Sequence, residues 1–382
     1  MKIEAIDLFC GAGGLTRGLL DAGIQVKAGF DIDGTCRHAY EHNNKGAKFR
    51  ERDIAQVTAS ELDRAWSRNA IRLLAGCAPC QPFSSAANAA VPDGVDPRYR
   101  LLDHFARLIR ACRPELVTME NVPQVRTHKP YEDFVSSLKA LGYQVWSRSV
   151  ACSEYGVPQT RRRLVLMASR LGAVSSPPRS VVPAKDLTVK RALNGLSRLR
   201  AGQADREDPI HFARSLTPLN LERMRASKPG GTWHDWPVDL RAPCHVKLSG
   251  ASYPSVYARM RADQPSPTIT TQFYNFGTGR FGHPTQHRAI TPREAALLQS
   301  FPPSYEFTRL DDVPNMSALG RMIGNAVPPK LGEAIGRGFL AHLSKVREGA
   351  SRSSPPSPAT SRSHRKPSVR SGSIHRSKRS GR

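Results

Sequence analysis

The sequence predicts a doubly wound α/β fold with a mostly parallel sheet, joined to a smaller irregular domain. Two observations carry the first part. Over the first 170 residues, short apolar runs alternate with segments of helical spacing, the pattern of strands linked by crossover helices. The first strand also runs straight into a glycine turn, Cys10-Gly11-Ala12-Gly13-Gly14, that opens a helix. A third observation carries the second part. Beyond about Gly172 periodicity degrades, proline and glycine become dense, and regular spacing returns only at Thr291.

The elements follow in order. Ile3 to Phe9 reads as a strand, and Leu15 to Ala22 as a helix stopped by Gly23. Gln25 to Ile32 is a second strand, followed by a helix near Cys36 to His42. Asp53-Ile54 stands where a third strand would end, and Ile71 to Ala75 is a further strand. Leu101, Leu102, Phe105, Leu108 and Ile109 share one helical face. Leu116 to Met119 is a buried-type strand leading into Glu120-Asn121-Val122. A helix from Tyr131 to Leu141 stops at Gly142, and Gln144–Val150 and Arg163–Ala168 are the last strands of this part. Residues 172–286 are expected to hold short strands around a small core containing Trp233 and Trp236. Thr291-Pro292-Arg293-Glu294 carries an N-cap, a proline at the first helical position and an acidic first turn. A final helix is expected from about Pro329 to Val346.

The expected organisation is therefore 1–171, 172–286, a return segment 287–348 that completes the first domain, and a tail 349–382. The tail is rich in Ser, Pro, Arg and Lys and nearly devoid of apolar residues, so it is expected to be disordered.

The chain carries 57 Lys and Arg against 32 Asp and Glu, a formal charge of +25. Nine of these basic residues lie in the acid-free tail, which leaves +16 on residues 1–348. An excess of this size points to a polyanionic partner, nucleic acid above all. No apolar run approaches membrane-spanning length and no signal segment is evident, so no membrane association is expected. The seven cysteines are scattered and odd in number, which fits a reducing compartment rather than a disulfide frame. Cys77 and Cys80 form a lone CxxC, and His283 with His287 has no cysteine pair nearby, so no metal is expected. Cys10, Cys36, Cys77, Cys112 and Cys152 read as small buried or half-buried residues rather than functional ones.

Cys80 is different, because it lies between Pro79 and Pro82 just beyond a strand. A thiol on a stiff loop at the carboxyl end of a strand is a candidate nucleophile. The glycine turn, with Asp31 and Asp53 after the next two strands, suits an adenosine-bearing ligand without a long phosphate tail. Glu120 at a strand end can hold a raised pKa and donate a proton, or equally serve as an N-cap or a salt-bridge partner. Alternation along Gln159-Thr160-Arg161-Arg162-Arg163 sends Arg161 and Arg163 to one side, where two guanidiniums suit an anionic or carbonyl-rich ligand.

In this order, the runs Asp7-Leu8-Phe9-Cys10-Gly11-Ala12-Gly13-Gly14, Pro79-Cys80-Gln81-Pro82-Phe83-Ser84, Glu120-Asn121-Val122, Gln159-Thr160-Arg161-Arg162-Arg163, Pro292-Arg293-Glu294 with Leu298-Gln299-Ser300-Phe301-Pro302, and Gly324-Asn325-Ala326-Val327-Pro328 make the chain resemble the DNA (cytosine-5) methyltransferase family along most of its folded length. Ala78, Ala326 and Pro303 depart from the family's usual residues, and none of these departures removes a reacting group.

The resemblance implies the S-adenosylmethionine-dependent methyltransferase fold, with residues 172–286 as target-recognition domain. It implies S-adenosyl-L-methionine as cofactor, held by Phe9, Gly11, Gly13, Gly14, Asp31, Ile32, Asp53, Ile54, Pro82, Asn325 and Val327. It also implies Cys80 as nucleophile toward C6 of a flipped-out cytosine, Glu120 as proton donor to the ring, and Arg161 with Arg163 as supporting cations. The stretch Ser84–Arg100 would close over the base as a lid. The partner would be double-stranded DNA, with a separately acting restriction endonuclease, or none if the methylase is solitary. The protein would be a monomer in the bacterial cytoplasm, associated with the nucleoid. A transfer RNA cytosine methyltransferase and a catalytically inactive DNA-binding regulator remain alternatives on the same scaffold.

Overall fold

The computed structural model describes residues 2–79, 100–247, 254–353 and the pair 372–373. Cys80, Pro82, nearly all of the lid segment and most of the basic tail lie outside the described residues.

Seven strands form one sheet: β1 (Ile3–Leu8), β2 (Gln25–Asp31), β3 (Lys48–Glu51), β4 (Ile71–Gly76), β5 (Leu116–Asn121), β6 (Gln144–Ala151) and β7 (Arg162–Ser169). Their order is β3-β2-β1-β4-β5-β7-β6. The first five pair in parallel, and β7 runs antiparallel to both its neighbours. The order reverses between β1 and β4, which makes the carboxyl ends of these two strands the natural floor of a ligand crevice.

Both faces of the sheet are covered, which is why the strands read as continuous apolar runs. Alternation sends Ile3 and Ala5 of β1 into one core and Ile6 and Leu8 into the other. The Ile6 side packs on α3 (Ala59–Asp63), α4 (Arg100–Cys112) and α5 (Lys129–Ala140). The Ile3 side packs on α1 (Gly14–Asp21), α2 (Arg37–Asn43) and the far end of the chain. The last helix, here called α11 (Pro329–Ser353), lies tightly on α1. A Cβ added at Gly18 of α1 would stand 2.3 Å from the Pro329 carbonyl oxygen, so glycine is required for this approach. The helix runs to Ser353 rather than ending near Val346, and so includes the first residues of the segment expected to be disordered.

Between β7 and α11 lie α6 (Val189–Ala192), α7 (Pro218–Ala226), α8 (Pro243–Val246), α9 (Pro292–Leu298) and α10 (Met316–Gly324). The expected short strands do not form among the described residues of 172–286, where only isolated bridges occur, such as Ala204 with Phe212. Trp233 and Trp236, each 3% exposed, centre a small core with Met224, Phe276 and Ala289. Helix α9 starts as its sequence suggests. Thr291 accepts from the Glu294 amide, and Glu294 accepts from the Thr291 amide. Both Glu294 oxygens also take a 2.7 Å bond from the buried Arg288 guanidinium. Burial works to raise this carboxyl, but Arg288 and His283 together hold it below the usual range. Glu294 and Arg293 are thus structural, with Arg293 bonding Asp208 and the Tyr305 carbonyl.

Candidate active site

A cavity of about 520 Å³ opens at the carboxyl ends of β1, β2, β4 and β5. One side is lined by Phe9, Gly11, Asp31, Ile32, Asp53 and Ile54, and the other by Cys77, Glu120, Arg161 and Arg163. Residues Arg321, Asn325 and Val327 return from the far end of the chain to complete the wall.

The glycine-turn side is shaped by backbone geometry. Strand β1 ends at Leu8, one residue before the expected boundary, because Phe9 adopts φ +58°. A bulky residue in the left-handed region is strained, and such strain collects at ligand sites. Asp31 holds the turn in place, with Oδ2 accepting from the Gly11 amide at 2.8 Å and Oδ1 from the Asp33 amide at 2.9 Å. Burial raises the Asp31 carboxyl above its ordinary value despite these bonds. Ile32 is 70% exposed on the rim, an apolar side chain available to a flat ring. Asp53 uses Oδ1 to accept from the Ala55 amide.

Gly13 and Gly14 are not among the lining residues. Gly13, at φ +90°, is the N-cap of α1, and a Cβ at Gly14 would lie 2.2 Å from the Val327 carbonyl oxygen. Of the three glycines, only Gly11 borders the cavity, while the other two serve the turn and the packing. Beneath the turn, Asp7 is buried with Oδ2 bonded to the Thr16 hydroxyl at 2.7 Å, and its Oδ1 has no partner. Burial lifts its carboxyl to about 7.

The opposite side is built around Glu120. Its Oε1 lies 3.1 Å from Arg163 Nε, and the two side chains are 3% and 12% exposed. Its Oε2 accepts from the Cys77 thiol at 3.0 Å. Parallel pairing of β4 with β5 places Gly76 beside Met119, which carries Cys77 to the level of Glu120. Cys77 is half-buried, as expected, but it is also a contact to the carboxylate rather than packing alone. The next residue, Asn121, donates to the Ala78 carbonyl at 3.1 Å and accepts from the Val122 amide, which ties the end of β5 to the chain at Ala78.

Arg161 and Arg163 both reach the cavity, but they do different things. Arg161, 2% exposed, directs its terminal nitrogens to the carbonyls of Ile269, Gly324 and Ala326. Burial, aided by the Arg163 charge, pushes it down to about 10, so it stays cationic at neutral pH. Its geometry is that of a fastener between β7 and the two later segments, whereas Arg163 faces the carboxylate. Gln159 works alongside, bonding the Gln299 side chain and accepting from the Ile269 amide. The other described cysteines, Cys10, Cys36, Cys112 and Cys152, are buried, and none is in a disulfide.

A sheet with this strand order and a carboxylate across a crevice from a glycine turn define a methyltransferase-type site. The chain matches the model of the C-5 cytosine-specific DNA methylase family over residues 3–340 and belongs to that family. It is 44% identical over 346 residues to the Type II methylase M.HgiDII of Herpetosiphon aurantiacus, covering 90% of this chain and 96% of that one. It is 30% identical to the Type II methyltransferase M1.HphI of Haemophilus parahaemolyticus, covering 89% and 87%. In fold it is similar to a putative prophage-encoded DNA modification methyltransferase from E. coli (TM-score 0.68, 24% identity, 90% and 100% covered) and to S. pombe Dnmt2 (TM-score 0.57, 18% identity, 90% and 99% covered). The protein is a DNA cytosine-5 methyltransferase. Its reaction requires a methyl donor and a DNA substrate, and no helix among the described residues is long and apolar enough to cross a membrane.

Proposed function

We propose that this enzyme methylates cytosine within a specific duplex DNA sequence, using S-adenosylmethionine, as the modifying member of a restriction–modification system. The observation that carries this reading is Glu120. It lies at a strand end, gripped by Arg163 and Cys77, on the wall of the cavity that also holds Phe9, Asp31 and Ile32. Modification alongside a restriction enzyme follows from the resemblance to Type II methylases.

The residues fit the cofactor. The cavity volume lies within the range for ligand pockets, about 300–1,000 Å³. Phe9 and Ile32 offer apolar faces to an adenine, and Asp31 and Asp53 keep acceptor positions for hydroxyl or amino donors. When bound, S-adenosylmethionine supplies an electrophilic methyl group. Cytosine C5 is a poor nucleophile, so the chain must first activate the ring. The Cys80 thiolate adds to C6 of a base flipped from the duplex. Glu120 hydrogen-bonds the base edge and gives a proton to the ring nitrogen, so the electron pair pushed in by sulfur reaches C5. The ion pair with Arg163 fixes this carboxyl during the transfer. Once C5 carries the methyl group, loss of its proton to water expels the sulfur as thiolate, and the ring nitrogen returns its proton to Glu120.

The test is transfer of labelled methyl groups to duplex DNA and to total RNA, with the wild-type chain and Cys80→Ala. The expected result is incorporation into duplex DNA alone, none with Cys80→Ala, and a covalent adduct only between wild type and DNA carrying 5-fluorocytosine. Methylation of DNA by Cys80→Ala would overturn the mechanism, and incorporation into RNA would overturn the substrate.

A further inference from the structure

We propose that His38, His42 and Glu306, none of which lines the catalytic cavity, form a binding site for a divalent transition-metal ion of the zinc type. His38 and His42 lie one turn apart on α2, so their rings project from one face, with centroids 5.2 Å apart. Glu306 comes from the segment between α9 and α10, more than 260 residues later. Its Oε1 is 3.2 Å from His42 Nε2, and its Oε2 is 4.0 Å from His38 Nε2. The three ligand atoms all lie within 4.8 Å of one another.

Zinc bonds of about 2.0–2.2 Å in a tetrahedron need ligand atoms roughly 3.3–3.6 Å apart. Small rotations of His42 and Glu306, 49% and 44% exposed, supply the remaining closure. His38 Nε2 is buried and has no hydrogen-bond partner. A buried ring nitrogen left without a partner is costly, and a metal bond would satisfy it.

The scaffold is already rigid. The Asn43 amide donates to the Glu306 carbonyl at 2.7 Å, and its oxygen accepts from the Glu306 amide at 2.9 Å. The main chain of the third ligand is thus fastened to the helix that carries the first two. Two imidazoles with one carboxylate favour zinc-type ions over Mg²⁺ or Ca²⁺, which prefer oxygen-only shells. Three protein ligands leave a fourth position for water. Sequence spacing alone directed attention to Cys77–Cys80 and to His283 with His287. In the structure, His283 Nδ1 accepts from the Thr285 and Gln286 amides, and His287 faces Arg259.

The site would act as a staple. Tyr305, next to Glu306, donates its hydroxyl hydrogen to the Ala12 carbonyl in the glycine turn. A bound ion would therefore join α2, the segment around residue 306 and the turn into one unit.

The test uses the full chain, stripped with a chelator and titrated calorimetrically with Zn²⁺ alone, beside His42→Ala and Glu306→Gln. Wild type is expected to bind one equivalent and to melt at a higher temperature with Zn²⁺ than with chelator, while Mg²⁺ has no effect. Both variants should lose at least tenfold in Zn²⁺ affinity and the thermal gain, while melting like wild type in chelator. If His42→Ala folds poorly, Glu306→Gln decides, because it keeps the size and the backbone clamp. Absence of Zn²⁺ binding by wild type, or equal binding by the variants, as thiols elsewhere would give, overturns the proposal.

Discussion

The Cys77 thiol donates to Glu120 Oε2 at 3.0 Å, while Arg163 approaches the other oxygen of the same carboxylate. Glu120 is thus held from two sides by residues of two other strands or their ends. In the role proposed for Glu120, such restraint is a gain, because the carboxyl does not have to be oriented during the reaction. Cys77→Ala is expected to lower kcat by up to about tenfold, the worth of a weak bond to a charged acceptor. Cys77→Ser should recover most of it, and KM for DNA should barely change. Steady-state kinetics on a duplex substrate checks both.

On the proposed mechanism, Glu120→Gln keeps the shape and removes the proton donor. A loss of roughly 10²–10⁴ in kcat is expected, the usual contribution of a general acid. The change also leaves Arg163 without its charge partner, so its effect should shrink in an Arg163→Met background. A double-mutant cycle on single-turnover rates reads this coupling.

Arg161 matters chiefly for stability. Its terminal nitrogens serve carbonyls from three later residues, Ile269, Gly324 and Ala326. Arg161→Met should strand these oxygens and cost about 3 kcal/mol or more. Arg161→Lys should restore less than half, because an ammonium cannot reproduce the fork. Urea unfolding followed by tryptophan fluorescence measures the difference.

Asp7 predicts a pH dependence. Burial, the chief cause, raises its carboxyl from an ordinary 3.8 to about 7. Between those values the unfolded chain has released the proton and the folded chain retains it, so stability falls as pH rises through this window and levels off above it. Asp7→Asn, which can still accept from Thr16, should gain on wild type between pH 4 and 7 by an amount on the order of 4 kcal/mol, and no further beyond pH 8. Urea midpoints at four pH values give the profile.

Much of this was legible in the sequence where local pattern and pairing agree. The apolar runs of β1, β4 and β5 are buried on both faces, so their composition alone identified them. Phe9 was read as the end of a strand because nothing in its type announces a positive φ. Helix α10 was missed although Asn315 caps it and Leu319, Met322 and Ile323 share one face, because its nine residues are short and bordered by a loop. Glu120, Arg163 and Asp31 carried recognisable motifs and meet in one cavity. Cys77 carries no local sign of a role, since only the register of β4 against β5 brings it to Glu120. Arg161 looked like the twin of Arg163, and burial separates them. His38 and His42 share one helical face in the sequence, but the third member of the cluster, Glu306, is supplied by tertiary contact and has no local signal.

The wall formed by Arg321 to Val327 has a consequence for biosynthesis. A ribosome exposes β1, the glycine turn and Glu120 long before it exposes the residues that close the cavity and the helix that covers Gly18. Contacts of this sequence separation form late and slowly. The nascent enzyme therefore cannot hold a closed cavity until nearly all of its folded chain has emerged, and its amino-terminal half must wait with the α1 face uncovered. A chaperone-dependent yield, and inactivity of chains stopped before α10, are the expected signatures of this order of assembly.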